Sequence, residues 1–276
     1  MRGSEHDPDP DPDADGAPIR SAGAYGDGVG QGNSDGVGIP LGAYREDEPP
    51  RPAEPDRQPG PGRITVVNAI LVVNIAVFFL WQWESIPLQV MADNFLVSWP
   101  LLAEGRIWVL LTSVFSHNML LHLMINMVVL LSFGKPLEML MGSRRFLLFY
   151  HVAGLGGSAA HVAASSLLLG SPQLPALGAS GAIAGLLMLF SFSFPKARVL
   201  LFFFIPVPAI MAALAFIALD VWGLVAQTQG GGLPIGHGAH LGGAFIGILY
   251  FLVRRNEMRT RRNRLGFVFG EARPRG

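Results

Sequence analysis

Six apolar segments between residues 64 and 253 constrain the fold of this chain more than any other feature. They lie at about 64–83, 114–139, 146–169, 180–194, 199–225 and 238–253. A membrane-spanning helix needs about 20 predominantly apolar residues, so these segments predict an all-α membrane protein with six transmembrane helices. The fourth and sixth segments are short and must begin below the membrane surface, where other parts of the protein surround them.

Basic residues indicate how these segments cross the membrane. They precede the first segment, occupy two of the connections and follow the sixth segment, at Arg57, Arg63, Arg144, Arg145, Lys196, Arg198 and from Arg254 onward. The alternate connections, 170–178 and 227–236, carry no charge. Because short cytoplasmic loops are rich in Lys and Arg, both termini are predicted to be cytoplasmic.

Composition divides the chain into three parts. Residues 1–62 hold 13 of the 20 acidic residues and few large apolar ones, which predicts a disordered, Pro/Gly-rich cytoplasmic tail. No apolar core follows the first residues, so a signal peptide is not expected. Residues 63–254 contain the six segments, and residues 255–276 are predicted to form a basic cytoplasmic tail. The absence of cysteine excludes disulfides, thiolate metal sites and a cysteine nucleophile.

Two polar side chains in these segments share a depth. Ser180 lies 16 residues before Lys196, and His240 lies 14 residues before Arg254. At 1.5 Å per residue, both are roughly 21–24 Å from the inner face. Each also belongs to a stripe of small residues that lets helices approach closely. The stripes are Ser180, Gly181, Ala184 and Gly185 on the fourth segment, and His240, Gly243 and Gly247 on the sixth.

If these stripes face each other, Ser180 and His240 meet at hydrogen-bond distance. A serine activated by a histidine is a nucleophile for acyl transfer. The oxyanion that develops needs hydrogen-bond donors, which the Ser180 amide, His122 and Asn126 could supply. His122 and Asn126 are spaced i, i+4 and so share one helix face. No acid clearly completes a triad, and Asp220 in the fifth segment is the only candidate near the outer side.

Four ordered motifs in this sequence resemble those of the rhomboid family of intramembrane serine proteases. The pattern H-x4-H-x3-N matches His117, His122 and Asn126, and GASG supplies Gly178, Ser180 and Gly181. The pattern A-H-x2-G-x3-G supplies His240, Gly243 and Gly247, and G-x3-E-x3-G supplies Glu138. The chain looks most like the mitochondrial, presenilin-associated branch of the family and its bacterial relatives.

The resemblance implies a six-helix rhomboid bundle whose Ser–His dyad opens to the extracytoplasmic side. It implies that Ser180 is the nucleophile, His240 the general base, and His122, Asn126 and the Ser180 amide the oxyanion hole. His117 is expected to be a structural residue beside the site. The implied reaction is cleavage of transmembrane segments of other membrane proteins through an acyl-enzyme intermediate.

The same resemblance implies the partners, and the composition bears on the location. The expected partners are membrane-protein substrates and the lipid bilayer, with no nucleic acid, cofactor or metal, and the oligomeric state stays open. Arginine outnumbers lysine 18 to 2, which together with abundant Gly, Pro and Ala favours a bacterial plasma membrane as the location. Glu138 is expected to be structural and to accept hydrogen bonds from the region of Gly142 and Ser143.

The sequence departs from the family pattern at two positions. Val109 follows Trp108 where many members have arginine, which bears on how the first loop is anchored. Ala184 stands where many members have an aromatic ring stacked on the catalytic histidine, so either another group orients His240 or the dyad is less well held. His237, three residues before His240, could modulate the dyad, but a solvated loop histidine is expected.

Two alternatives stay open. A proteolytically weak rhomboid-like protein that binds membrane-protein clients would have the same fold, although such proteins characteristically lose the serine or histidine. A metal or haem enzyme is disfavoured because His117 and His122 are spaced i, i+5, about 140° apart on a helix.

Overall fold

Helices dominate the computed structural model, which describes residues 65–201 and 204–266. The predicted tail 1–62 lies outside these residues, as does the end of the predicted basic tail. The helices are α1 (Val66–Trp81), α2 (Leu88–Phe95), α3 (Trp99–Ala103), α4 (Val109–Thr112), α5 (Leu120–Met141), α6 (Ser143–Ala163), α7 (Ser180–Ser193), α8 (Ala209–Thr228) and α9 (His237–Arg264). A 3₁₀ turn spans Ser113–Phe115, and a π-helical turn, Ala164–Leu168, extends α6.

Three helical segments in the described part of the chain are long and apolar enough to cross a membrane. They are Leu120–Met141, Ser143–Leu168 and Ala209–Thr228, whereas α1 and α7 are shorter apolar helices. One side of α5 exposes a run of large apolar side chains at Leu120, Leu121, Met124, Ile125 and Val128. Such a contiguous apolar surface suits contact with lipid.

The fifth apolar segment does not begin as a helix. The sequence predicted one span over residues 199–225, but Arg198–Leu201 and Ile205–Pro208 pair as an antiparallel hairpin. The helix α8 starts only at Ala209, directly after Pro208. Proline lacks the N–H that a helix interior requires, so Pro206 and Pro208 keep this stretch extended.

The last helix extends beyond the expected boundary at residue 254. It begins at His237 and continues to Arg264. Its polar end is held to the bundle, because Arg261 donates to the carbonyls of Leu140 and Met141 at the C-terminus of α5. Basic side chains at a helix C-terminus satisfy carbonyls that lack partners in the helix itself.

The helix α7 lies at the centre of the fold and packs against α6 and α9 through backbone contacts. A Cβ placed on Gly243 would collide with the Gly181 carbonyl oxygen, and one on Gly247 would collide with the Gly185 carbonyl oxygen. The two small-residue stripes therefore face each other as the spacing predicted. The close approach of α7 and α9 positions the residues at their N-terminal ends.

Glu138 joins three helices at the other end of the bundle. Its carboxylate accepts hydrogen bonds from the backbone N–H groups of Val66 and Val67, at 2.9 and 3.0 Å. It also accepts one from the Ser143 hydroxyl at 2.7 Å. The contact with Ser143 was expected from the sequence, but those with α1 were not. A carboxylate at a helix N-terminus satisfies unpaired N–H groups and matches the helix dipole.

Candidate active site

Ser180 and His240 are brought together at the start of α7 and near the start of α9. The Ser180 hydroxyl lies 2.9 Å from Nε2 of His240. Nδ1 of the same ring lies 2.9 Å from Oδ1 of Asp220, which can only accept a hydrogen bond when ionised. With Asp220 ionised, Nδ1 carries the proton and Nε2 can accept the hydroxyl proton. This is the arrangement that general-base activation of a serine requires.

Asp220 is the acid that the sequence alone could not assign. It lies on α8 and is only 4% exposed. Its Oδ1 accepts hydrogen bonds from two imidazoles, His240 at 2.9 Å and His237 at 2.6 Å. Charged acceptors buried in protein hold their donors firmly, so Asp220 fixes both the tautomer and the orientation of His240.

The expectation for His237 was wrong. His237 is 6% exposed rather than solvated, and it is the first residue of α9. Gly223 on α8 makes room for it, because a Cβ at that position would overlap the imidazole ring. His237 thus lies against α8 and donates to the carboxylate that also holds His240.

Phe216 supplies the aromatic ring that the sequence lacked at Ala184. The Phe216 and His240 rings have centroids 5.3 Å apart and planes inclined by 31°. Phe216 also packs against the small apolar cluster that contains Ala184. The aromatic group comes from α8 rather than α7, and the small residue on α7 leaves space for it.

His117 and His122 surround the residues that precede Ser180. The Ala179 amide donates to Nε2 of His117 at 3.4 Å, and the His117 and His122 rings meet edge to face with centroids 4.9 Å apart. Gly178 has φ +123°, and a Cβ there would lie 2.8 Å from Cε1 of His122. Only glycine suits this position, for both conformation and space.

Asn126 lies one turn after His122 on α5 and is buried. Its side-chain amide donates to the His122 carbonyl oxygen at 2.8 Å. The amide is thus engaged with its own helix in this structure. The Ser180 N–H lies in the first turn of α7, where backbone donors lack partners in the helix.

The loop before α7 is tied to other parts of the bundle. Val97 and Ala176 exchange two backbone hydrogen bonds of 2.9 Å, which join the long segment between α1 and α5 to this loop. Nε2 of His161 bonds the Leu174 carbonyl oxygen at 3.0 Å. These contacts hold the loop that presents Ser180.

The first connection is anchored without the family's Trp-Arg pair. Val109 is fully buried. Arg106 pairs with Asp93 at 3.3 Å, and Nε1 of Trp108 donates to Asn94 at 3.2 Å. Asp93 and Asn94 both lie on α2, so these contacts hold the residues before α4 against α2.

The cluster of Asp220, His237 and His240 also has the composition of a metal site. One potential ligand atom from each of these residues lies within 4.8 Å of the others. The spacing of His117 and His122 disfavoured a metal site, but that spacing does not bear on this set. Both Nδ1 atoms lie within hydrogen-bond distance of Oδ1, at 2.6 and 2.9 Å, so hydrogen bonding also accounts for the arrangement.

The fold and this geometry coincide with a family match over residues 104–257, which correspond to the Rhomboid domain. The chain belongs to the rhomboid family. The family membership predicted from its four motifs is therefore confirmed. The matched range contains the residues of the proposed dyad, the carboxylate behind it and both histidines that flank the loop before α7.

Curated relatives of this rhomboid include RHOMBOID-like protein 12, mitochondrial, of Arabidopsis thaliana, which is 33% identical over 207 residues. Rhomboid protein 1, mitochondrial, of Saccharomyces cerevisiae is 36% identical over 188 residues, and human Presenilin-associated rhomboid-like protein, mitochondrial, is 32% identical over 213 residues. These matches cover 70%, 67% and 76% of this chain but only 60%, 52% and 54% of the relatives.

The names of these relatives are informative about the branch and the membrane. They include presenilin-associated rhomboid-like proteins, the branch that the sequence resembled. All three are mitochondrial proteins by name, so the expectation of a bacterial plasma membrane gains no support from them.

Proposed function

We propose that this rhomboid is an intramembrane serine endopeptidase. The single observation that carries the proposal is the continuous chain of contacts from the Ser180 hydroxyl to His240 and from His240 to Asp220. A serine that only caps a helix N-terminus would instead bond backbone N–H groups, so these side-chain contacts are not explained by capping.

The proposed reaction begins when Oγ of Ser180 attacks the carbonyl carbon of a peptide bond. Nε2 of His240 takes the hydroxyl proton, and Asp220 stabilises the imidazolium that forms. The imidazolium then gives this proton to the leaving amine as the C–N bond breaks, which leaves an acyl-enzyme. Water, deprotonated by His240, then attacks the acyl carbon. The bond from this carbon to Oγ breaks, His240 returns the proton to Oγ, and the second product leaves with a new carboxyl group.

The oxyanion is proposed to accept hydrogen bonds from the Ser180 N–H, His122 and Asn126. A single side-chain donor of this kind contributes about 10²- to 10³-fold to the rate. The Asn126 amide must leave the His122 carbonyl to take this role. His117 is proposed to support the site by accepting from the Ala179 amide.

The proposed topology has six spans, α1 and α5 to α9, with both termini in the cytoplasm. It is supported by the arginines between α5 and α6 and along the end of α9. Ser180 and His240 lie at or near the N-terminal ends of α7 and α9, away from Lys196, which follows α7, and from the arginines in the C-terminal half of α9. The site is therefore proposed to open to the extracytoplasmic side, from which water enters.

The proposed substrates are transmembrane segments of other membrane proteins. A site at this depth meets a substrate helix within the bilayer, and small residues near its outer end would let it unwind. The client-binding alternative is less favoured, because Phe216 and Asp220 hold His240 in place despite Ala184. No observation in the described residues favours binding over catalysis.

The proposal is tested by cleavage of a single-span substrate in proteoliposomes. Wild type is expected to cleave, and Ser180→Ala and His240→Ala are expected to be inactive, with no effect of a chelator. His151→Ala is the matched control, since it removes a histidine of α6 whose only hydrogen bond among the described residues is to the Leu147 carbonyl oxygen. Substrate that is retained but not cleaved by wild type would favour the client-binding alternative.

A further inference from the structure

A cavity of about 450 Å³ lies where α9 leaves the apolar part of the bundle. The ends of α7 and α9 line it, through Phe192, Ser193, Phe251, Arg255, Arg259 and Arg262. Ser180 is 12 residues from Phe192 along α7, which corresponds to roughly 18 Å. The cavity is thus well separated from the proposed catalytic site.

Three arginines give this cavity its charge. Arg255, Arg259 and Arg262 follow one another at i, i+4 and i+7, so they share one face of α9. Arg255 and Arg259 are exposed and have no acidic partner among the described residues. The nearby Glu257 is instead engaged by Arg145, Arg254 and Arg261.

Arg262 neutralises a helix C-terminus that borders the cavity. Its Nη1 donates to the Ser193 carbonyl oxygen at 2.8 Å, at the C-terminus of α7. The unpaired carbonyls at a helix C-terminus carry partial negative charge and would repel an anion. The contact with Arg262 offsets that charge and leaves the other two guanidinium groups free to bind.

The wall of the cavity is apolar. The Phe192 and Phe251 rings stack with centroids 5.2 Å apart and an interplanar angle of 23°. The apolar run of α9 ends at Val253 and the arginines begin at Arg254, a boundary typical of the membrane interface. The cavity thus places two guanidinium groups beside two stacked aromatic rings at the membrane interface. This combination suits a phosphate group that carries acyl chains.

We propose that this cavity binds the phosphate of an anionic phospholipid from the leaflet facing the Arg-rich end of α9. Guanidinium groups bind phosphate oxygens bidentately, and basic pockets between membrane helices are suited to anionic headgroups. The apolar wall distinguishes a lipid from free phosphate, because it would accept the first part of an acyl chain. This binding goes beyond the proposed proteolysis and does not depend on it.

The test measures lipid retention by native mass spectrometry of the full chain in detergent with added phosphatidylglycerol or phosphatidylcholine. Wild type is expected to retain one phosphatidylglycerol in preference to phosphatidylcholine. The double variant Arg255→Gln with Arg259→Gln is expected to bind phosphatidylglycerol about 20- to 30-fold more weakly. The matched control, Arg254→Gln with Arg264→Gln, removes the same charge from the same helix outside the cavity and should retain the lipid.

Three outcomes would overturn the proposal. An equal loss of phosphatidylglycerol binding in the two double variants would show attraction by diffuse charge and not by a site. Unchanged binding in both variants would exclude the cavity as the binding site. Displacement of the lipid by millimolar inorganic phosphate would assign the site to a free anion. Because all four arginines are exposed, helical content measured by circular dichroism should match wild type and exclude misfolding as the cause.

Discussion

Replacing Asp220 with asparagine isolates the charge that the proposed mechanism assigns to this residue. The Asn carbonyl oxygen can occupy the position of Oδ1 and accept from both histidines. The amide group then takes the place of Oδ2, which has no hydrogen-bond partner among the described residues. The variant therefore preserves shape and contacts while it removes one negative charge.

The magnitude follows from the distance between Nδ1 of His240 and Oδ1 of Asp220, which is 2.9 Å. At an effective dielectric constant of about 20, two unit charges this close interact by roughly 6 kcal/mol. This stabilisation acts on the imidazolium and thus on the transition state. Competing solvation reduces it, so we expect kcat to fall about 10³- to 10⁴-fold.

The assay measures kcat and KM for a fluorogenic transmembrane substrate in proteoliposomes. KM should change little, since buried Asp220 is separated from the substrate by His240. Asp93→Asn, which removes a carboxylate from the first loop, is the matched control and should stay within a few-fold of wild type. A kcat for Asp220→Asn within tenfold of wild type, at equal thermal stability, would refute the role given to this carboxylate.

Three further variants test the packing around the site. Ala184→Tyr should lower activity and stability, by about 1–3 kcal/mol in unfolding free energy, because Phe216 already fills this region; an increase in kcat would contradict this. Gly243→Ala should separate α7 from α9 and reduce both the unfolding midpoint and cleavage, and wild-type values for both would show that the contact is not tight. His237→Gln should retain folding but lower kcat roughly 10-fold, as one donor to the carboxylate is weakened; an unchanged kcat would leave His237 without a role.

The meeting of Ser180 and His240 could be predicted because it depends on local regularities. Both lie on helices, so residue counts give their depth, and glycine spacing gives the face on which α7 and α9 approach. The family motifs added the identity of the fold. These signals need no knowledge of how other helices pack.

The contacts of Phe216 and Asp220 with His240 could not be predicted from such local regularities. They are spaced i, i+4 and so share a face of α8, a pattern that was present in the sequence. Which neighbour that face meets depends on the tilt and rotation of α8, and these depend on long-range packing. The burial of His237 was missed for the same reason, because the Gly223 that accommodates it lies on that helix.

The hairpin before α8 was missed because apolar content alone does not separate a strand from a helix. Residues 199–208 are as apolar as a span, and hydropathy merged them with the helix that begins at Ala209. The two prolines were the available signal, since each removes a backbone donor. The extension of α9 to Arg264 was missed because hydropathy detects only the apolar part of a helix. The polar end of α9 packs against the bundle and does not cross the membrane.

The most direct measurement of the central claim maps the covalent adduct formed with a fluorophosphonate probe. Peptide mass spectrometry of wild type should find the phosphonyl group on Ser180, and His240→Ala should abolish the labelling while Ser171→Ala leaves it intact. Labelling of Ser180 that persists without His240, or labelling of another residue in wild type, would contradict the assignment of nucleophile and base.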